Sequence, residues 1–232
     1  MRDNTAILEL LGVVPDLASS DLPPAPIDLT LMAGDLALIE VRSPARAAQF
    51  ADLCCGLLPV VRGDVRFLGR DWATQSDQQA AALRGRIGRV YGRGAWIGFI
   101  GTDLNIMLPQ LHHTRRPATA LRDAAAELAR SFGLPGLPLV RPTALTAADQ
   151  ARAACVRALL GEPRLLLMES PVQAQFADLL PPLLDALAAA RDRGSAAIWL
   201  TRSDLVWGDR SFPATCRLRL TEDGLMPLRH AA

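Results

Sequence analysis

The side chains with most chemical potential in this sequence stand at the ends of apolar runs. After the apolar run Leu36–Val41 come Arg42, Ser43, Pro44, Ala45, Arg46, Ala47 and Ala48. A strand that passes directly into a helix presents backbone N–H groups and the positive end of a helix dipole, a place suited to an anion. Arg42 and Arg46 are the cations that could clamp one there. The same residues also make an ordinary helix start. Ser43 is a strong N-cap, and Pro44 fits the first helical position, where its missing N–H is not needed. In that arrangement the Ser43 hydroxyl takes up N–H groups that would otherwise face an anion, Pro44 offers none, and both arginines are solvated. Two further junctions carry chemistry: Glu169 tips the apolar run beginning at Leu165, and Thr146-Ala147-Ala148-Asp149 opens a helical pattern.

The rest of the composition narrows what chemistry is open. All 25 basic residues are arginine, so any mechanism that needs a lysine is excluded. The net charge of +1 gives no reason to propose nucleic acid or an anionic membrane surface as partner. The four cysteines, Cys54, Cys55, Cys155 and Cys216, show neither a CxxC pair nor cysteine–histidine ligand spacing, so no metal site is expected. Cys54 and Cys55 read as small core residues of a helix. His112 and His113 lie in a loop-like stretch with no carboxylate at ligand spacing. The N-terminus, MRDNTAILELLG, carries acids and does not read as a signal peptide. No run of about 18 apolar residues occurs, which points to a cytoplasmic protein with no membrane span.

The elements that must position these residues follow from the patterning. Residues 7–11, 27–31 and 36–41 read as strands. Ala47, Phe50, Ala51, Cys54, Leu57 and Leu58 share one helical face, with Arg46, Gln49 and Asp52 off it. The segment VRGDVRFLG reads as a hairpin-type strand. Between about residues 93 and 148, one helix is expected, ATALRDAAAELARSFG, stopped by Gly133 and Pro135. ADQARAACVRALLGEP reads as a helix and RLLLMES as a strand. DLLPPLLDALAAARDRG reads as a helix that Pro181 and Pro182 either kink or begin. AAIWLT is a strand, and CRLRLTEDGLMPL is a closing hairpin around Asp223-Gly224. Strands alternating with helices predict a largely parallel sheet covered by helices.

The order and spacing of these pieces resemble the ATP-binding subunit of ABC transporters over nearly the whole chain. From Gly34-Asp35 to Gly56-Leu57 the spacing matches that family's strand, phosphate loop and helix without a gap. Ala151 to Pro171 resembles its signature helix and following strand, keeping Arg152, Arg157-Ala158-Leu159, Pro163 and Pro171, and RLRLTEDGLMPL resembles its final hairpin. The resemblance implies an α/β fold with a P-loop NTPase-like (RecA-like) core and a mainly parallel sheet. To that core it adds an N-terminal antiparallel β-subdomain and an inserted helical subdomain. The expected bounds are a single domain 1–232, core about 1–92 and 153–232, helical subdomain about 93–152.

By catalytic motif the match is poor. The family's phosphate loop, GxxxxGK[ST], frees N–H groups with glycines, neutralises charge with lysine and holds Mg²⁺ with a hydroxyl. In register this chain has Val41 to Ala48, with Ala47 at the lysine and Ala48 at the hydroxyl position. The glutamine that positions water falls at Gly92, the signature LSGGQ reads LTAAD (Leu145 to Asp149), and the magnesium-organising carboxylate falls at Glu169. The water-activating glutamate falls at Ser170 and the switch histidine at Arg202. No aromatic residue precedes Phe50 to stack adenine. Removal of one preorganised donor costs on the order of 10²–10³ in rate, and losses at several positions together imply no ATPase activity.

The resemblance therefore implies a catalytically inactive structural or regulatory subunit, a pseudo-ATPase needing no cofactor. Its partners would be an ABC permease subunit, an intact ABC ATPase subunit or both, joined as a head-to-tail dimer at the inner face of the cytoplasmic membrane. Glu169 would then only cap or pair at a strand end, with Arg152 and Arg157 in salt bridges across the helix surface. Trp96, Ile97, Phe99 and Ile100, just before NIMLP, form either a docking surface for the permease or core. NIMLP itself has the flavour of lipid or lipoprotein traffic. Two alternatives stay open: a divergent but genuine ATPase that uses Arg46 in place of lysine and takes ATP with Mg²⁺, and a soluble scaffold outside transport.

Overall fold

The computed structural model describes residues 6–92 and 94–228. The expectations for the first five residues, for residue 93 and for the ends of the 1–232 domain lie outside them. The fold is α/β, with one antiparallel sheet and a second, mostly parallel one. The first sheet is built from β1 (Leu8–Pro15), β2 (Ile27–Leu31), β4 (Val60–Phe67) and β5 (Arg70–Asp71) in the order β2-β1-β4-β5. Its strands alternate: in β2, Ile27, Leu29 and Leu31 are buried while Asp28 and Thr30 are exposed. A sheet with one wet face requires that pattern.

The second sheet runs β10-β9-β3-β8-β7-β6, from β3 (Leu36–Glu40), β6 (Ile87–Val90), β7 (Leu165–Glu169), β8 (Ala196–Thr201), β9 (Cys216–Leu220) and β10 (Leu225–Pro227). All its pairings are parallel except the β9–β10 hairpin. Every residue of β7 and β8 is buried, because helices and the first sheet cover both faces, so these strands read as continuous apolar runs. On one side a core forms around Leu10, Ile39, Phe50, Cys54, Phe67 and Ile198; on the other, around Met107, Leu121, Phe132, Val156, Leu166 and Trp199.

Among the described residues seven α-helices complete the fold: α1 (Pro44–Cys54), α2 (Asp77–Arg84), α3 (Thr102–His113), α4 (Ala118–Ser131), α5 (Ala147–Leu159), α6 (Leu180–Asp192) and the short α7 (Asp204–Trp207). Pro181 and Pro182 lie in the first turn of α6, so they begin that helix rather than kink it. The middle of the chain holds two helices where the sequence indicated one. α3 carries Pro109 inside it and has no side-chain cap, which hid it from pattern reading. This corrects the surroundings of His112 and His113, which occupy its last turn rather than a loop, with their rings 4.7 Å apart. α3 is instead fixed from its start by the buried Asn105, whose amide bonds Ile97 N and O and Gly101 O at 2.8–3.1 Å. Among the described residues no helix is long and apolar enough to cross a membrane.

One close approach sets where β6 lies. Gly88 sits against α5 so tightly that a Cβ on it would come within 1.9 Å of the Ala158 carbonyl oxygen. Gly88→Ala is therefore expected to destabilise the chain by about 1–3 kcal/mol or more through overpacking. Urea denaturation measures this, and an unchanged midpoint would contradict the contact.

Candidate functional site

α1 begins as its local sequence dictates. Ser43 has extended backbone angles (φ −84°, ψ 122°), its hydroxyl accepts from Arg46 N at 3.2 Å, and Pro44 occupies the first turn. The Ser43 carbonyl accepts from Ala47 N at 3.0 Å. Two of the helix's leading N–H groups are thus satisfied internally, and Pro44 has none. Arg46 turns away from the strand tips. Its Nε donates to the Asp21 carbonyl at 3.0 Å and its terminal nitrogen stands 3.9 Å from Glu222. With Arg42 and Ser43 it lines a depression of about 860 Å³ that also holds Asp21, Glu40, Glu222 and Asp223. Arg219 pairs with Glu40 there. Four carboxylates against three guanidiniums leave no surplus positive charge for an anion.

A separate cleft of about 750 Å³ opens at the C-terminal tips of β6 and β7 and at Arg202, which follows the end of β8. It brings together Ala47, Ala48, Gly92, Glu169, Ser170 and Arg202. Its floor beside α1 is the methyl and ring surface of Pro44, Ala45, Ala47 and Ala48, and Arg202 at its rim is exposed. Ser170 and Ala95, both lining it, have left-handed φ values of 47° and 46°, a strained conformation that clusters at functional sites.

Arg89, on β6, fills the space between Glu169 and α1. Its Nε donates to Glu169 Oε1 at 2.7 Å, one terminal nitrogen to Asp52 Oδ1 at 2.5 Å, and the other to the Ala48 carbonyl at 3.0 Å. The other Glu169 oxygen accepts from Gly92 N at 3.2 Å. The Arg89 and Glu169 side chains are 8% and 7% exposed. Burial by itself lowers the Arg89 pKa, but the hydrogen bonds and charges of Asp52 and Glu169 outweigh it and raise the pKa, so the guanidinium stays charged. Its face lies 4.4 Å from the Tyr91 ring. Glu169 thus pairs with Arg89 at its strand end.

Arg157 departs from that reading. It makes no salt bridge across α5. Its nitrogens donate to the Gly94 and Ala95 carbonyls at 2.5 and 3.0 Å, and its plane stacks 4.4 Å from Trp96 and 5.3 Å from Tyr91. Its pKa is lowered because it is buried without a carboxylate partner. Arg152 does bridge, to Asp149 at 2.9 Å and to Asp178. At the start of α5, Thr146 caps the helix by accepting from Asp149 N at 3.1 Å, and its hydroxyl donates to the Asp149 carboxylate at 2.9 Å. Of this stretch only Ala147 faces the strand tips, in a small depression of about 360 Å³ with Gly92 and Ser170. Thr146, Ala148 and Asp149 are not part of the cleft.

Arg89, Asp52 and Tyr91 escaped sequence reasoning. The signal was present, since a lone arginine inside the strand pattern IGRVY predicts a buried partner. The partner's identity was not, because it depends on which strand lies alongside.

No protein-family model matches the chain. It is 35% identical over 149 residues to the lipoprotein-releasing system ATP-binding protein LolD of Ruegeria sp., covering 62% of this chain and 64% of that one. It is 31% identical over 171 residues to LolD of Anaeromyxobacter dehalogenans, covering 72% of each. It is 26% identical over 149 residues to the intermembrane phospholipid transport system ATP-binding protein MlaF of Haemophilus influenzae, covering 64% of this chain and 56% of that protein. The matches to the Ruegeria and Haemophilus proteins thus span less than two thirds of their lengths. The fold matches the dimeric structure of MJ0796, a bacterial ABC transporter cassette, with TM-score 0.79 at 18% identity over 96% of this chain and 99% of that one. It also matches an ATP-binding subunit of an ABC transporter with TM-score 0.76 at 13% identity, over 94% and 88% of the two chains.

The capping geometry carries an energetic expectation. Ser43→Ala should cost about 1 kcal/mol of stability, the usual worth of an N-cap hydroxyl. A thermal melt is the measurement, and a neutral result would show that water satisfies the Arg46 N–H equally well.

Proposed function

The chain belongs to the family of ABC transporter ATP-binding subunits, and from that membership we propose that it is a degenerate, catalytically inactive member acting structurally or in regulation within a membrane transport complex. The observation that carries this reading is the start of α1. A triphosphate with its magnesium needs converging amide hydrogens, a near cation and a free carboxylate. At the place where the family holds phosphate, Ser43 takes up the Arg46 and Ala47 amide hydrogens, Pro44 has none, and Ala47 and Ala48 present methyl groups. Glu169 has both oxygens engaged by Arg89 and Gly92. These residues do not fit ATP with Mg²⁺.

The alternative of a divergent ATPase gave Arg46 the role of the missing lysine. The bonds of Arg46 to Asp21 and towards Glu222 aim it into the other depression, which weighs against that alternative. The proposed partners are a permease subunit, an intact ATPase subunit, or both. They would hold the chain at the cytoplasmic side of the membrane. The surface that favours such docking is apolar and exposed: Phe99 at 79%, with Leu104 and Leu108 on α3. The sequence reading left the stretch from Trp96 to Ile100 between docking surface and core, and it divides. Phe99 is exposed, while Trp96 packs against the second core. The LolD and MlaF relatives, by their names, serve lipoprotein release and phospholipid transport. A lipid-bearing cargo is accordingly the class we assign to the complex.

Two measurements test this. Isothermal titration of the purified chain with Mg-ATP should show no saturable binding, and phosphate release should match buffer alone, for the native chain and for Arg46→Ala equally. Real turnover, or binding that Arg46→Ala abolishes, would sink the proposal in favour of the divergent ATPase. Affinity capture from solubilised membranes should bring down a membrane-spanning permease, whereas recovery of soluble partners alone would place the chain outside transport.

A further inference from the structure

We propose that Arg89 is the resident cation of the strand-tip cleft: it occupies the place between Asp52 and Glu169 that a divalent metal ion would need, and so keeps metal out. The inference takes from the proposal above only the role of the Glu169 position, and it stands or falls separately from whether nucleotide binds.

Three oxygens from two elements converge on one guanidinium carried by β6: Asp52 Oδ1 and the Ala48 carbonyl from α1 and Glu169 Oε1 from β7, at 2.5–3.0 Å. Two carboxylates and a carbonyl are the donor types that hard divalent cations select. The guanidinium satisfies the same oxygens with fixed, planar N–H donors and does not lose its proton. Its back face is covered by Tyr91 at 4.4 Å, and only 8% of the side chain is exposed. Among the described residues no cluster of three or more metal-ligating side chains exists. The site therefore gains nothing from adding metal while the arginine is there, and holds one arrangement of α1, β6 and β7 whatever the magnesium concentration. Here Arg89 is a positioning residue, and the consequence is a cleft insensitive to divalent ions.

Manganese titration without nucleotide, followed by electron paramagnetic resonance, tests this. In the native chain no Mn²⁺ binding that Glu169→Gln removes is expected. Arg89→Ala, which leaves two carboxylates facing each other, should bind one Mn²⁺ at least about tenfold more tightly than the native chain, as expected when a unit charge a few ångström away is taken out. Its lowered melting temperature should rise with added Mn²⁺, since an ion that binds only the folded state stabilises it. Arg89→Lys, which keeps the charge, should exclude the metal again. Mn²⁺ binding by the native chain that Glu169→Gln abolishes would overturn the proposal, and so would a folded Arg89→Ala variant that binds no better. If Arg89→Ala does not fold, the native chain and Glu169→Gln decide between them: Glu169-dependent binding refutes it, and none supports it.

Discussion

The buried guanidinium of Arg89 is the interaction on which the arrangement of the strand tips depends. It joins α1 through Asp52 and Ala48 to β7 through Glu169, while sitting on β6 itself. Such an ion network is not a large source of net stability, because desolvation offsets most of the Coulomb attraction. Losing one partner, in contrast, leaves charges uncompensated at a cost of about 3–5 kcal/mol. The network therefore selects one packing of these three elements over its neighbours more than it holds the fold together. The apolar cores on either side of the second sheet do the latter.

The same preference for internal satisfaction runs along α1. A helix N-terminus needs its N–H groups met by something. Here the serine hydroxyl and carbonyl meet two of them, proline removes one, and Arg46, which could have helped an anion, is drawn to Asp21 and towards Glu222. What remains beside the helix start is a cleft whose floor is apolar, formed by Pro44, Ala45, Ala47 and Ala48.

Beyond the cleft, the stretch from Gly94 to Ile97 leads towards the α3–α5 layer, and Arg157 fixes it twice. Its nitrogens bond two consecutive carbonyls, and its plane lies against Tyr91 and Trp96. Two arginines thus share one tyrosine ring, so the strand-tip network and that stretch are mechanically continuous. The exposed apolar residues Phe99, Leu104 and Leu108 follow directly after that stretch. Anything seated on them would press on a segment already anchored to the cleft.

By itself the sequence determined what depends on near neighbours: the apolar runs of β3, β7 and β8, the Ser43-Pro44 start of α1 and the final hairpin around Asp223-Gly224, while whether Pro181 and Pro182 kink or begin α6 was decided by the structure. Periodicity, capping and turn chemistry act within a few residues, so they are written locally. The lack of lysine and the alanines at positions 47 and 48 were equally plain. α3 was not legible, because an internal proline and an uncapped start mask a helix whose anchor, Asn105, bonds backbone outside it. The role of Arg89 was not legible either. Its two carboxylates lie 37 and 80 positions away along the chain, and only the parallel pairing of β6 with β7, with α1 packed across the tips, brings them to it. Charge pairing at that separation is decided by which surfaces the hydrophobic core places face to face, and no local pattern encodes it.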